Sequence, residues 1–437
     1  MAEMRPAAEM KDSGIEWIGD CPVSWNVVPL YSALFEINQK NSPIYTTNIL
    51  SLTNTEGVIP YSERGNQGNK SKENFEEYKV VYPNTIVANS MNILIGSVGL
   101  SAYEGCVSPV YYVYSAKPGY EIRYLNYMFS MESFQKRLRQ FANGILEIRL
   151  RVSSHDILHQ KVMLPPFAEQ QAIADFLDDR CSKIDEIIAE ATASIEEYKE
   201  LKQAVIFEAV TKGLDKNVPM KNSGMEFVDE IPETWQVVRF IRTNWVRGRL
   251  GWKGLKADEY VDEGYPFLSA FNIINNHLSW DELNHITQER YDESPEIKLS
   301  VGDIVLVKDG AGIGKCARID ELPLGETTVN SSLAVITPQE NIYYKYEYYY
   351  FLSPLFQNII ARLRNGMGVP HLTQESMKAI CIPLPSIEEQ KEISAYLDIR
   401  VNELDALISE KQALIDDLQA YKKSLIYEVV TGKRRVV

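Results

Sequence analysis

Met10-Lys11-Asp12-Ser13-Gly14-Ile15-Glu16-Trp17 returns 210 positions later as Met220-Lys221-Asn222-Ser223-Gly224-Met225-Glu226-Phe227. The match runs on through Pro22, Trp25, Val27 and Val28, which reappear as Pro232, Trp235, Val237 and Val238. A second echo closes each half at an offset of 220. Leu164-Pro165 with Glu169-Gln170 answers Leu384-Pro385 with Glu389-Gln390, followed by Leu177-Asp178 and Leu397-Asp398, Arg180 and Arg400, Asp185 and Asp405. Glu208, Val210 and Thr211 end the first copy as Glu428, Val430 and Thr431 end the second. A period this long is no solenoid repeat, so the chain is a duplicated domain plus linker. The borders repeat well and the interiors diverge: Asn41–Ser71 has no partner in Gly251–Glu282. A faint common strand survives as Asn84-Thr85-Ile86-Val87 and Gly302-Asp303-Ile304-Val305. Loop drift after duplication would explain this, as would a kept frame carrying two different reading surfaces. The pattern favours the second.

Each half divides into a mixed part and a long helix. In the first, Thr85–Ala88 and Val110–Tyr114 are β-rich, Gly96–Gly105 reads as turn, and Tyr124–Phe141 has helical spacing. The second follows with Ile304–Val307, Ser332–Ile336 and a helical stretch Tyr344–Leu363. Between Pro166 and Gly213 neither Pro nor Gly interrupts a stripe of Ile173, Leu177, Ile184, Ile188, Ile195, Tyr198, Leu201 and Val205. The second stripe is Ile393, Leu397, Leu404, Ile408, Ile415, Leu418 and Leu425, opened by Ser386 with Glu389 as a capping box. Two helices of roughly 65–70 Å have no domain of their own to cover them. Each covers the other most simply as a coiled coil, antiparallel because a globular part lies between them. The expected fold is α+β: two pseudo-twofold-related globular domains, residues 1–164 and 216–384, separated by helical regions 165–215 and 385–437.

The 437 residues carry a net charge of −15, which is opposite in sign to what phosphate binding needs. The acidity is concentrated in the helices, with twelve acidic and five basic residues in Pro166–Asp215 and ten and eight in Ser386–Val437. Basic residues gather in the globular parts instead. Arg239, Arg242, Arg247, Arg249, Lys253 and Lys256 are interleaved with Trp245, Trp252 and glycines. Lys136, Arg137 and Arg139 lead into Asn143-Gly144, Arg149 and Arg151, and the second half has Arg362, Arg364, Asn365-Gly366 and His371. A helix ending in a basic Asn-Gly loop in both copies suits a groove or phosphate contact, although a solvated charge cluster reads the same way. Asn89 fits either an adenine reader or a turn former, and Lys308 and Lys315 flank a glycine-rich segment that joins the candidates.

That segment, Lys308-Asp309-Gly310-Ala311-Gly312-Ile313-Gly314-Lys315-Cys316, lacks both the first glycine and the magnesium-binding hydroxyl of a Walker A loop. Leu164-Pro165-Pro166-Phe167 lacks the polar first residue of an amino-methyltransferase tetrapeptide. His155 and His159 have no third ligand nearby, so no metal is expected. Five scattered cysteines without CxxC spacing suggest reduced thiols in the cytoplasm, and no apolar run reaches membrane-spanning length.

The Leu-Pro-x-x-x-Glu-Gln helix entries, the Gly302-Asp303-Ile304 strand, the Gly251-Trp252-Lys253-Gly254 stretch and the duplicated layout resemble specificity subunits of type I restriction-modification systems. The first half departs from the Gly-Asp-Ile form. The resemblance implies two target-recognition domains reading a bipartite, asymmetric double-stranded DNA site, with the helices setting the spacer. It implies no catalytic residue in this chain. Two modification subunits holding S-adenosylmethionine would methylate adenine at N6, and restriction subunits would add ATP- and magnesium-dependent cleavage. The alternatives are a specificity subunit of a type IIB-like fused methyltransferase-nuclease and a coiled-coil scaffold with two protein-binding heads.

Overall fold

A computed structural model describes residues 3–53, 57–64, 74–142, 150–248, 256–310, 312–364, 372–373, 376–377 and 380–436. They form two compact units, one from residues 1–191 with 413–437 and the other from residues 192–412. Each unit therefore takes the start of one long helix and the end of the other.

In unit 1, strand β1 (Asn26–Pro29) is followed by β2 (Leu34–Glu36), β3 (Thr85–Asn89), β4 (Val98–Ser101) and β5 (Tyr111–Ala116). The last four form an antiparallel sheet in the order β4-β3-β5-β2. Its strands alternate between two cores. Ile86, Ala88 and Tyr114 face helices α1 (Ile122–Ser130) and α2 (Glu132–Arg139), while Val87 and Val113 face the hairpin Leu50–Thr53/Gly57–Pro60. Two structural differences from the sequence reading have simple causes. Gly96–Gly105 is not all turn, because β4 runs through it. The single helix expected over Tyr124–Phe141 breaks at Met131, which is extended at ψ 127°. Its stripe of Leu125, Met128, Phe129, Phe134 and Leu138 is nevertheless buried throughout.

Strand β6 (Lys161–Leu164) pairs with β1 and delivers the chain through Pro165-Pro166 into α3 (Phe167–Lys212). The repeated Glu-Gln at this entry is an anchor. Gln170 Nε2 donates to the Pro165 carbonyl at 2.8 Å, and its Oε1 accepts from the Glu121 amide at 2.9 Å. Glu169 accepts from Trp25 Nε1 at 3.0 Å. The Tyr124 hydroxyl lies 3.1 Å from the carbonyls of both Met163 and Val430, tying the start of α3 to the end of the second long helix.

Unit 2 repeats the scheme. After β7 (Gln236–Arg239), a sheet of β8 (Asn244–Arg247), β9 (Ile304–Val307), β10 (Cys316–Arg318) and β11 (Leu333–Pro338) has the order β8-β11-β9-β10. Ile304, Leu306, Ala334 and Ile336 face α4 (Tyr344–Leu352) and α5 (Pro354–Arg364), whereas Val305, Val307, Leu333 and Val335 face a separate core. The single helix expected over Tyr344–Leu363 is interrupted at Ser353, just before Pro354, since a residue preceding proline is pushed out of the helical region. Strand β12 (Cys381–Leu384) pairs with β7 and leads into α6 (Ile387–Val430). Ser386 Oγ accepts from the Glu389 amide at 3.2 Å, half of the expected capping box. The Glu389 carboxylate instead takes Trp235 Nε1 at 3.0 Å. Gln390 repeats both contacts of Gln170, to the Pro385 carbonyl and the Tyr343 amide, and the Tyr346 hydroxyl meets the Val210 and Pro383 carbonyls.

The helix seams follow alternating steps of three and four residues, the 3.5-residue period of a left-handed coil. In α3 the seam runs through Leu177, Cys181, Ile184, Ile188, Ala191, Ile195, Tyr198 and Lys202; in α6, through Leu397, Val401, Leu404, Ile408, Lys411, Ile415, Leu418, Lys422 and Leu425. Leu201 is a correction to the expected stripe. It stands on the outer face, 45% exposed, because Lys202 takes the seam position. Lys202 Nζ reaches Asp405 at 2.6 Å in unit 2, and Lys422 reaches Asp185 at 2.6 Å in unit 1. Both pairs join the later part of one helix to the earlier part of the other, the antiparallel sense. Among the described residues no helix is long and apolar enough to cross a membrane.

Both long helices end on glycines with left-handed backbone, Gly213 (φ +74°) and Gly432 (φ +72°). A Cβ on Gly432 would sit 2.4 Å from Pro22 Cγ and 2.9 Å from the Trp25 ring. Gly432→Ala is expected to cost about 2–4 kcal/mol, from the left-handed φ and the overpacking together. Gly119→Ala, equally left-handed (φ +89°) but with open space around it, should lose only about 1–2 kcal/mol. Denaturant midpoints of the two variants measure the difference; equal losses would mean that the helix end can shift away from Trp25.

Candidate nucleic-acid interface

The basic end of α2 is the best-formed part of the expected reading surface. Residues of α2, the hairpin turn at Gly14–Trp17 and the segment Asp156–Lys161 line a cleft of about 750 Å³ in unit 1. Its basic wall carries Lys136, Arg137 and Lys161, and His159, Glu16 and Asp156 also line it. The Arg137 guanidinium lies 4.8 Å from the Phe141 ring and donates to Gln160 Oε1 at 3.2 Å and to Gln140. These contacts hold the guanidinium in place without neutralising it. Lys136 pairs with Glu132 one helical turn back, and that hydrogen bond holds the Glu132 carboxyl below the usual range. Arg139 and Arg151 are exposed. His155 and His159 stack on each other at 3.8 Å, and the His159 ring meets Tyr31 at a tilt, 5.1 Å between centroids. Sequence reading missed Lys161, which lies in a strand far from the basic run, and the fold alone brings it to the cleft.

Two candidates turn inward. Arg247 is a correction: its guanidinium is buried, 2.6 Å from Asp303, and donates to Thr337 Oγ1 and to the carbonyls of Lys298 and Glu296. It closes β8 onto β9 and β11 and presents nothing to a ligand. Asn89 is buried, and its Oδ1 accepts from the Met91 amide at 3.1 Å, which makes it a turn former. In the glycine-rich segment, the Val307 amide donates to the Lys315 carbonyl at 2.8 Å and the Gly314 amide to Val307 at 3.1 Å, closing the turn between β9 and β10. Lys315 is exposed, whereas Lys308 is largely covered and 4.0 Å from Asp309. Cys316 is fully buried, and burial pushes its thiol well up, as suits a packing residue. Asn143, Arg149, Arg249, Lys253, Asn365 and His371, and the side chain of Arg364, lie outside the described residues.

The structure also shows what the repeated Leu-Asp pairs do. Asp178 accepts from Arg123 at 2.8 Å and Tyr127 at 2.7 Å, clamping α3 to α1. Asp398 clamps α6 to α4 through Lys345 and Tyr349 and to β10 through Arg318. Burial pushes the Asp398 carboxyl up, but the hydrogen bonds from Tyr349, Arg318 and Lys345 outweigh it and hold the group below the usual range. These clamps fix each globular part on its helices, so a surface carried by one is held in register with the other elements of its unit.

The sequence matches the family model for the type I restriction modification DNA specificity domain twice, over residues 22–197 and 252–416. It is 27% identical over 279 residues to the type I restriction enzyme MjaVIII specificity subunit of Methanocaldococcus jannaschii, covering 63% of this chain and 62% of that protein. It is 26% identical over 209 residues to the EcoKI specificity subunit of Escherichia coli, covering 47% and 44%. The chain thus spans less than two thirds of the length of these curated relatives. A chain from a structure described as showing complex assembly and conformational transition of the type I R-M system superposes with a TM-score of 0.71 at 15% identity, over 94% of this chain and 99% of that one. The HsdS subunit of Thermoanaerobacter tengcongensis superposes at 0.51 and 16% identity, over 94% and 98%. Two family matches over most of the chain, on a duplicated frame of this architecture, place the protein in the family of type I restriction-modification specificity subunits.

Proposed function

We propose that each unit reads one half of a split, asymmetric double-stranded DNA site, and that the paired helices set the spacer and dock two modification subunits. One observation carries this reading: the frame is duplicated contact for contact, while the parts it holds are not. The Trp-Glu, Gln-carbonyl, Tyr-carbonyl and Asp clamps recur in both units. Between them, unit 1 holds the hairpin Leu50–Thr53/Gly57–Pro60, and unit 2 a three-stranded sheet of Tyr265–Leu268, Asn284–Ile286 and Thr328–Val329. Identical readers on a duplicated frame would demand a palindrome; different ones suit two unlike half-sites. Arg137, Arg139, Arg151 and Lys161 are the phosphate or base contacts of unit 1, and Lys315 is one of unit 2.

The outer faces of the helices support the docking role. Ile187 and Leu407 are exposed at equivalent positions, as are Leu201 and Tyr421. Large apolar side chains kept in water twice over suit a partner that covers them. S-adenosylmethionine belongs to those modification subunits, and ATP with magnesium to restriction subunits; catalysis belongs to the partners. Mapping N6-methyladenine across the genome by single-molecule sequencing, with and without this chain, tests the reading. Deletion is expected to erase methylation at one motif of two short half-sites about a DNA turn apart. An unchanged map in a strain expressing the complete system would reject it and favour the protein scaffold.

A further inference from the structure

Exposed apolar residues also recur on the globular parts. Tyr31 and Phe35 in unit 1 correspond to Ile241 and Trp245 in unit 2, and all four are exposed, Trp245 by 59%. Each pair brackets the same inward-facing residues: Ala33 and Leu34 are buried in unit 1, as are Thr243 and Asn244 in unit 2. Phe35 lies on β2 and Trp245 on β8, each the outermost strand of its four-stranded sheet. The Trp245 ring has the Arg247 guanidinium 5.1 Å from its centroid, which braces one side of it.

We infer that residues 31–35 and 241–245 form a second docking surface, one per unit, for a protein partner bound in two identical copies. Resting on the function proposed above, that partner is the modification subunit. Whatever two unlike halves keep in common serves something that meets both. Here the common property is apolar bulk alone, since Tyr31 is matched by Ile241 and Phe35 by Trp245. Base edges require donors and acceptors at fixed places, and phosphates require cations. A pair of positions that shares neither answers to neither, whereas an apolar patch with an aromatic anchor is what a protein partner covers. Two different half-sites would also give no reason for the repetition, while two copies of one subunit do. The strand beneath each aromatic adds a sheet edge, an exposed aggregation liability when left open and a ready contact when a partner segment lies along it.

The test reconstitutes the full chain with its modification subunit and reads stoichiometry and affinity by native mass spectrometry. The wild type is expected to take two copies. Trp245→Ser and, separately, Ile241→Ser should leave one copy bound tightly and weaken the other by on the order of tenfold or more. Phe35→Ser should do the same for the opposite copy, and the Phe35→Ser/Trp245→Ser chain should lose both. All four positions are exposed, so unchanged thermal unfolding of each variant separates docking from folding. Two copies held with wild-type affinity by every variant would overturn the inference, as would intact assembly with loss of binding to one DNA half-site alone. A wild-type chain that takes up no modification subunit would instead overturn the functional reading itself.

Discussion

Arg247→Ala is expected to destabilise unit 2 by roughly 3–5 kcal/mol, because it strands a buried carboxylate. Asp303 is 1% exposed and has its Oδ1 occupied by Thr337 Oγ1 at 2.6 Å. Its Oδ2 takes the Ser300 amide at 2.7 Å and Arg247 Nη2 at 2.6 Å. Removing the guanidinium takes away the only cation paired with that carboxylate among the described residues, and frees the carbonyls of Lys298 and Glu296 as well. The pair's net worth is modest; the large loss comes from what is left behind. Arg247→Lys should recover little, since one ammonium cannot span the three directions that the planar fork reaches. Arg247→Ala combined with Asp303→Asn should recover part of the loss, because the stranded charge is gone. Hydrogen exchange on the full chain reads this directly, with faster exchange in β8, β9 and β11 and little change in unit 1. A stable Arg247→Ala chain that loses recognition of one half-site would make Arg247 a reader after all.

That residue marks where sequence reading runs out. Its neighbours in the run Arg239–Lys256 share its composition, and nothing local says that position 247 of an edge strand points inward. The long helices were legible because some 45 residues of unbroken 3.5-residue period admit no other structure. Even there, Leu201 drew the eye away from Lys202, whose apolar stem fills the seam while its ammonium reaches Asp405. The repeated Glu169-Gln170 and Glu389-Gln390 were visible as a signature, and only the contacts show that they bolt the helix to the strand before it. Strand β4 was hidden because Gly96 stands just before it and Gly99 within it. The sheets are buried on both faces, so Ile304–Val307 shows no alternation to reveal which face is which. Within the reading surface, charge located the α2 end of the cleft, but Lys161 arrives there from another element.

Comparing the two halves position by position also isolates a buried pair for which the expected effect of substitution changes sign. Leu34 and Leu125 pack in the core of unit 1; their counterparts in unit 2 are Asn244 and Glu347, both fully buried. The Asn244 amide donates to Glu347 Oε1 and lies 3.0 Å from Thr243 Oγ1, while Asn244 Oδ1 and Glu347 Oε2 have no partner among the described residues. Burial pushes the Glu347 carboxyl far above its ordinary range, against the smaller downward pull of the Asn244 hydrogen bond. Below about pH 4.5 both states are protonated and the group adds no pH dependence. As pH rises above that, only the unfolded chain ionises, so unit 2 loses up to about 1.4 kcal/mol per pH unit until the folded pKa is reached. Asn244→Leu alone should cost about 1–3 kcal/mol by leaving the carboxyl unpaired, and Glu347→Leu alone strands the amide similarly. Asn244→Leu/Glu347→Leu, which installs the unit 1 pair, should be at least as stable as wild type at neutral pH and should lose the downward slope. Urea unfolding of the four chains between pH 4 and 9 closes the cycle. A double variant as unstable as the two single losses added together would falsify the equivalence, and would mean that the unit 2 core is shaped around the polar pair rather than merely tolerating it.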